Sequence, residues 1–328
     1  MSGIIGHLTY AILAHQIVLE RAPQIARLIS EHQDSYLAGA YLGADVMTLP
    51  GGKCPECGGE YGYGGDFSRS CPKDQCPLHA YTLTFDGITY TPQEIHRMFY
   101  GRSHLLFGWR NGQAKFGLQW SQLPSYFEAA ITDTFAFYTQ PERRVAYVMG
   151  WISHVIGDAL IKSVQPGLNL YLLNGTYTPQ NRPIQDLFSF HQFGKAECQL
   201  DWSDLMFNLV ETPVESVQAH FMRLTEPQGQ LAEKFPTGWS PKHEQLLYAV
   251  MSENRRYQKI RNPRLVQQLA LDQMPHGLNC NAQLSQITGG LSFEEMMQMA
   301  DTAAFRQTLF QIGETTAQFL ATAISLSK

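Results

Sequence analysis

Val148-Met149-Gly150-Trp151-Ile152-Ser153-His154-Val155-Ile156-Gly157-Asp158 sets one histidine and one aspartate in an otherwise mostly apolar run. At helical pitch His154 and Asp158 fall one turn apart on the same face. An imidazole and a carboxylate at that spacing can grip one metal ion, or can hold each other in a structural hydrogen bond. Both readings stay open from this stretch alone. Gly150 and Gly157 have no side chain and so permit close approach by a neighbouring helix. The surrounding pattern predicts a helix over 142–163.

Working outward, apolar residues recur at helical spacing from Gly6 to about Ile29, and a shorter helical segment runs from Ser35 to Asp45. Residues 125–138, 187–210, 241–260 and 292–326 carry the same signature, with Pro and Gly breaks between them. Thr91-Pro92-Gln93-Glu94 restarts a helix with a capping threonine, Pro at the first helical position and an acidic first turn. The expected fold class is therefore mainly α. Residues 50–90 differ in character, being rich in Gly, Cys, Pro and aromatics. Within them Leu83-Thr84-Phe85-Asp86-Gly87-Ile88-Thr89-Tyr90 reads as a hairpin turning at Asp86-Gly87. The chain thus divides into a helical domain, 1–49 with 91–328, and an inserted knuckle, 50–90.

A chain of 328 residues with 44% apolar composition can bury a substantial core. A formal charge of -5 and a pI near 6.1 give no global basic bias, which argues against duplex nucleic acid as a partner. The N-terminal stretch is apolar but interrupted by histidines, without a basic leader or a small-residue cleavage site. No stretch reaches the roughly 18 uninterrupted apolar residues of a membrane span. The expectation is a soluble, cytoplasmic protein.

Cys54-Pro55-Glu56-Cys57 and Cys71-Pro72-Lys73-Asp74-Gln75-Cys76 are two short-spaced cysteine pairs. Four thiolates complete a closed tetrahedral zinc shell, so the expected ion here is structural. Two disulfides are the competing reading, favoured only in an oxidising compartment. His79 is surplus once four cysteines serve. Cys198 and Cys280 have no close cysteine neighbour in sequence and read as buried free thiols.

The stretch Gly150 to Asp158 resembles the helix that carries a histidine and a metal-bridging aspartate in the zinc-dependent phospholipase C and single-strand nuclease superfamily. Gly3-Ile4-Ile5-Gly6-His7-Leu8 is similar to the mature N-termini of the zinc nucleases, where the terminal amine and a nearby histidine bind metal. The resemblance implies His7 as a ligand, joined by the Ser2 amine if Met1 is removed. Glu31-His32-Gln33-Asp34-Ser35-Tyr36-Leu37-Ala38-Gly39-Ala40, followed by Asp45, resembles the catalytic domain of glycosylphosphatidylinositol-specific phospholipases D. That likeness implies Asp45 as a metal ligand and general base, although Gly43-Ala44 stands where the family usually has a proline before the aspartate. His104, preceded by Ser103, matches the next family histidine, with His96 as its competitor. Asp45, His104, His154 and Asp158 would then hold one zinc, and Asp158 would bridge to a second beside His7.

The family's remaining site matches less well. His191 is the candidate for its later histidine, but Lys162 and Val164 follow Asp158 where another histidine is expected. Lys195 stands one α-helical turn past His191 where a carboxylate is expected, with Glu197 and Asn169 as out-of-register substitutes. Lys162 and Lys195 either are solvated helix positions or replace a missing ion's charge and hold a substrate phosphate. Arg255, Arg256, Lys259, Arg261 and Arg264 read most simply as a solvated helix end before a proline. The implied activity is zinc-dependent hydrolysis of a phosphoric ester, phospholipase C-like, on a lipid substrate. The alternatives are a single-strand nuclease or nucleotide phosphodiesterase, and a non-hydrolytic zinc protein that binds a phosphorylated ligand.

Overall fold

The structure is a computed structural model that describes residues 4–45, 52–53, 60–61, 83–90, 94–95, 98, 105, 118–161, 181–211, 229–234, 245–252, 266 and 290–326. It is mostly helical, as the periodicity predicts. The N-terminal pattern is divided into α1 (Ile4–Arg21) and α2 (Pro23–Glu31), followed by α3 (Gln33–Asp45). The single helix expected over 6–29 breaks at Ala22, whose φ of -144° and ψ of 72° are non-helical. The cause is Pro23, which disfavours the helical region for the residue before it and starts the next helix without needing an N–H partner.

In the insertion, β1 (Gly52–Lys53) pairs antiparallel with β2 (Glu60–Tyr61). β3 (Leu83–Phe85) pairs with β4 (Ile88–Tyr90), with Thr84 opposite Thr89. Asp86 and Gly87 turn the hairpin at φ of 51° and 73°, the left-handed pair that a two-residue loop requires. The four insertion cysteines lie outside the described residues.

α4 (Leu123–Phe137) follows a 3₁₀ turn at Trp120–Gln122, and α5 (Glu142–Ile161) carries His154 and Asp158. α6 (Asn181–Phe188) then runs directly into a π-helix (Ser189–Glu197), and α7 (Trp202–Glu211) and α8 (Gln230–Lys234) come next. Residues 245–252 are helical, and α9 (Phe293–Thr302) and α10 (Phe305–Leu326) end the described chain. The helix expected over 187–210 is interrupted near Gln199, which adopts a φ of 53°. Asp201 then caps a new helix, its Oδ1 accepting from Ser203 N at 2.9 Å and Asp204 N at 3.0 Å. The pattern over 292–326 likewise divides, where Ala304 turns at a φ of 52°.

α5 is the central helix: every residue from Val145 to Ile161 is buried. A helix apolar on nearly all sides needs neighbours all round, and α3, α1, α4 and α10 supply them. Its most extensive pairing is with α3. A Cβ on Gly150 would lie 1.8 Å from Tyr36 O, and one on Gly39 would lie 2.0 Å from Tyr147 O. The two glycines therefore let the backbones touch. Ser35 Oγ donates to Arg143 O at 2.8 Å, and the Arg143 guanidinium forks onto the Asp34 carboxylate at 2.6 and 3.3 Å. These contacts advance together along both chains, so α3 and α5 run parallel. Tyr36 Oη donates to Ala11 O at 2.8 Å and ties α3 to α1 in turn. Among the described residues no helix is long and apolar enough to cross a membrane.

Two stability predictions arise from this packing. The buried Asp133 carboxylate of α4 accepts from the backbone N–H groups of Gln230 and Leu231, each at 2.9 Å, and so caps α8 from a distance. Asp133→Ala is expected to cost about 1–2 kcal/mol by urea denaturation, and Asp133→Asn less, because its amide oxygen still accepts. Equal stability of all three proteins would refute the capping role.

His15 of α1 faces Ser30 of α2, with Nε2 and Oγ 3.1 Å apart. Burial pushes its imidazole below the ordinary 6.5, opposed in part by the Ala26 backbone. A depressed folded-state pKa means the unfolded chain binds the proton more tightly. Its stability contribution is therefore whole above about 6.5 and is lost as pH falls through the folded value. Between about pH 7 and pH 5 the wild type should lose more stability than His15→Gln, and matching urea midpoints at both pH values would count against this.

Candidate metal centre

α1 and α5 bring His7, His154 and Asp158 into one buried cluster, with relative exposures of 1%, 0% and 4%. One ligand atom from each lies within 4.8 Å of the others. His7 Nε2 is 3.5 Å from Asp158 Oδ1. The two imidazoles stack face to face with centroids 3.6 Å apart and planes 9° apart. The Tyr10 ring meets His7 edge-on at 5.8 Å and also fills the space over Gly157, where a Cβ would come within 2.3 Å of Tyr10 Cδ2. The absence of a side chain at Gly157 is thus what lets α1 approach α5 beside Asp158.

The His154 tautomer follows from its partner. Nδ1 is 2.7 Å from Ala40 O, and a carbonyl only accepts, so Nδ1 carries the hydrogen and donates. In metal-bound histidines one ring nitrogen usually donates to a carbonyl or carboxylate while the other ligates, so Nε2 is the His154 nitrogen suited to an ion. The Gly39–Gly150 contact brings Ala40 within that reach.

The donor types fit a divalent cation such as zinc, although the stacked rings hold their in-plane lone pairs in nearly parallel planes, so one ring must turn before both ligate a single ion. At Zn–N and Zn–O bonds of about 2.0–2.2 Å, tetrahedral ligands sit roughly 3.3–3.6 Å apart, which matches the 3.5 Å between His7 Nε2 and Asp158 Oδ1. The same distance is long for an N–H to carboxylate hydrogen bond. Three protein ligands with a further position for water or substrate is the pattern of hydrolytic zinc sites.

Of the other sequence-predicted residues, Asp45 ends α3. The Asp45 side chain lies outside the described residues. His104, Lys162, Ser2, Cys54, Cys57, Cys71 and Cys76 also lie outside them. His191 is not in the cluster: its ring packs edge-on against Phe190 at 4.9 Å and Phe293 at 5.1 Å. Lys195 Nζ sits 5.4 Å above the Phe190 ring. Cys198 is a half-buried free thiol that accepts from Gln16 Nε2 at 3.5 Å. Sequence reasoning did not find the Ala40 carbonyl, although Gly39 next to it was a visible sign of close backbone approach.

Fold and site together define a helical chain with a buried two-histidine, one-carboxylate cluster suited to a divalent cation. No protein-family model matches this chain, and neither the curated proteins nor the solved structures hold a significant match to it.

Proposed function

We propose that this chain is a zinc-dependent hydrolase of phosphoric esters, phospholipase C-like in its chemistry. The observation that carries the reading is the buried cluster of His7, His154 and Asp158, with one ligand atom of each within 4.8 Å of the others. Zinc, when bound, supplies charge neutralisation at the phosphoryl oxygens and a water acidified toward neutrality. His154 is held by the Ala40 carbonyl and by its stack on His7. Asp158 brings the negative charge that offsets the ion. Asp45 is the group that the family resemblance assigns to orient the water and accept its proton.

The resemblance of residues 31–40 to the phospholipase branch favours a lipid phosphodiester over a nucleic acid. The test is zinc stoichiometry by mass spectrometry, followed by turnover of phosphatidylcholine vesicles, single-stranded DNA and bis(p-nitrophenyl) phosphate. Vesicle turnover that follows zinc loading supports the proposal, and DNA turnover alone would move it to the nuclease branch. Full zinc loading without turnover of any of the three would leave a phosphate-binding protein. A chain that takes up no zinc at the histidine cluster would overturn the reading.

A further inference from the structure

α3 and α5 are locked to each other by backbone contact at Gly39 and Gly150 and by Ser35 Oγ, which donates to Arg143 O at 2.8 Å. The Ala40 carbonyl and the His154 imidazole belong to that pair, so their 2.7 Å contact is set within it. His7 comes from a third body, α1. The buried face of α1 is largely apolar, with Ile5, Leu8, Ala11, Leu13 and Val18 all inside. Apolar burial is non-directional and tolerates small shifts of one helix along another. The groups of a binding site have to be held within about 0.5 Å of their working positions. A directional bond that registers α1 on the other two helices therefore matters to the cluster.

Tyr36 makes such a bond. Its side chain is fully buried, and its Oη donates to Ala11 O at 2.8 Å. Ala11 lies one turn past His7 in α1, and Tyr36 lies one turn before Ala40 in α3. The same residue touches α5. A Cβ on Gly150 would meet Tyr36 O, and the Tyr36 hydroxyl lies beside Ser153, the residue before His154. One tyrosine thus reaches all three helices close to both histidines. Burial pushes its hydroxyl far above the ordinary 10, opposed in part by Ser153, so the group keeps its proton and stays a donor. The His15 imidazole meets the ring edge-on with centroids 6.2 Å apart and so helps to hold it in place.

We propose that Tyr36 is a positioning residue for the metal cluster: its bond to Ala11 O registers α1 on α3 and α5 and thereby sets His7 against His154 and Asp158. The assignment rests on the metal-dependent reading above. Tyr36 acts through helix placement, as neither a ligand nor a substrate contact. Removing its hydroxyl leaves all three ligands present and His154 still on Ala40, but lets α1 shift under His7. The cluster then loses preorganisation and keeps its donors.

The test measures zinc affinity by chelator competition, the visible absorption of the cobalt(II)-loaded protein, and Tm, for the wild type, Tyr36→Phe and Thr134→Val. Tyr36→Phe deletes one oxygen and keeps the ring. Thr134→Val deletes another buried hydroxyl that donates to a backbone carbonyl, Ala130 O at 2.6 Å, but in α4 and outside the cluster. The expected result is zinc binding weakened by about tenfold in Tyr36→Phe, the low end for losing a group that supports a metal ligand, with an altered cobalt spectrum. Thr134→Val should match the wild type in both. Tyr36→p-aminophenylalanine keeps the ring and a donating N–H, so it should restore zinc affinity to the wild-type level. If Tyr36→Phe fails to fold, that variant carries the test, and a tenfold loss in it would overturn the assignment. Wild-type zinc affinity and cobalt spectrum in Tyr36→Phe also overturn it, as does equal weakening in Thr134→Val, since the hydroxyl would then be a purely structural bond. A wild type that binds no zinc removes the metal-dependent reading itself, and the assignment with it.

Discussion

His154→Asn is expected to bind one equivalent of zinc less than the wild type while keeping its helical circular dichroism. Asparagine can place its Nδ2 near the former Nδ1 and still donate to Ala40 O, so the contact between α3 and α5 survives. What it lacks is the Nε2 lone pair. Loss of a supporting partner around a metal ligand typically costs ~10–100-fold in affinity, and loss of the ligand itself costs more. Turnover of any phosphoric ester should fall with the zinc. Asp158→Asn should behave alike, because it removes the one carboxylate of the three side chains while keeping shape. The measurement is native mass spectrometry of dialysed protein beside the wild type. Undiminished zinc in His154→Asn would mean that the stacked histidines and Asp158 are a structural group, as the bland reading of their sequence spacing allows.

Gly150→Val is expected to unfold the protein or lower its Tm by on the order of 10 °C or more. The first atom of any side chain at this position would lie 1.8 Å from Tyr36 O and 2.7 Å from Ala40 N. Both are backbone atoms inside a helix, so neither can swing aside as a flexible side chain would. Relief requires α3 and α5 to separate along their whole contact, at a cost of about 3 kcal/mol or more. The informative comparison is Gly87→Ala. Gly87 has a left-handed φ of 73°, but a Cβ there would meet nothing within 4 Å, so only conformational strain of about 1 kcal/mol is expected. Comparable losses at the two glycines would show that the helix crossing is looser than the contact implies. A milder Gly150 variant that folds should also loosen zinc, since Ala40 is the residue that orients His154.

The sequence determined by itself what depends on neighbours within a turn or two. Helical periodicity marked α1, α3, α4 and α5, the one-turn spacing put His154 and Asp158 on one face, and Asp86-Gly87 marked the hairpin, because each rests on local backbone preference. Pro23 was equally legible as a helix start, yet the apolar rhythm running through it masked the break at Ala22. The sequence reading sets Lys195 one α-helical turn past His191, as a group for a substrate phosphate. Residues 189–197 form a π-helix instead, and there both side chains lie against the Phe190 ring. Only the tertiary structure decided the rest of the site: that α3 and α5 run parallel in backbone contact, that the Ala40 carbonyl therefore selects the His154 tautomer, and that α1 stacks His7 on it. Those facts depend on which carbonyl and which ring meet across a helix crossing, and a linear pattern of side chains carries no record of that meeting.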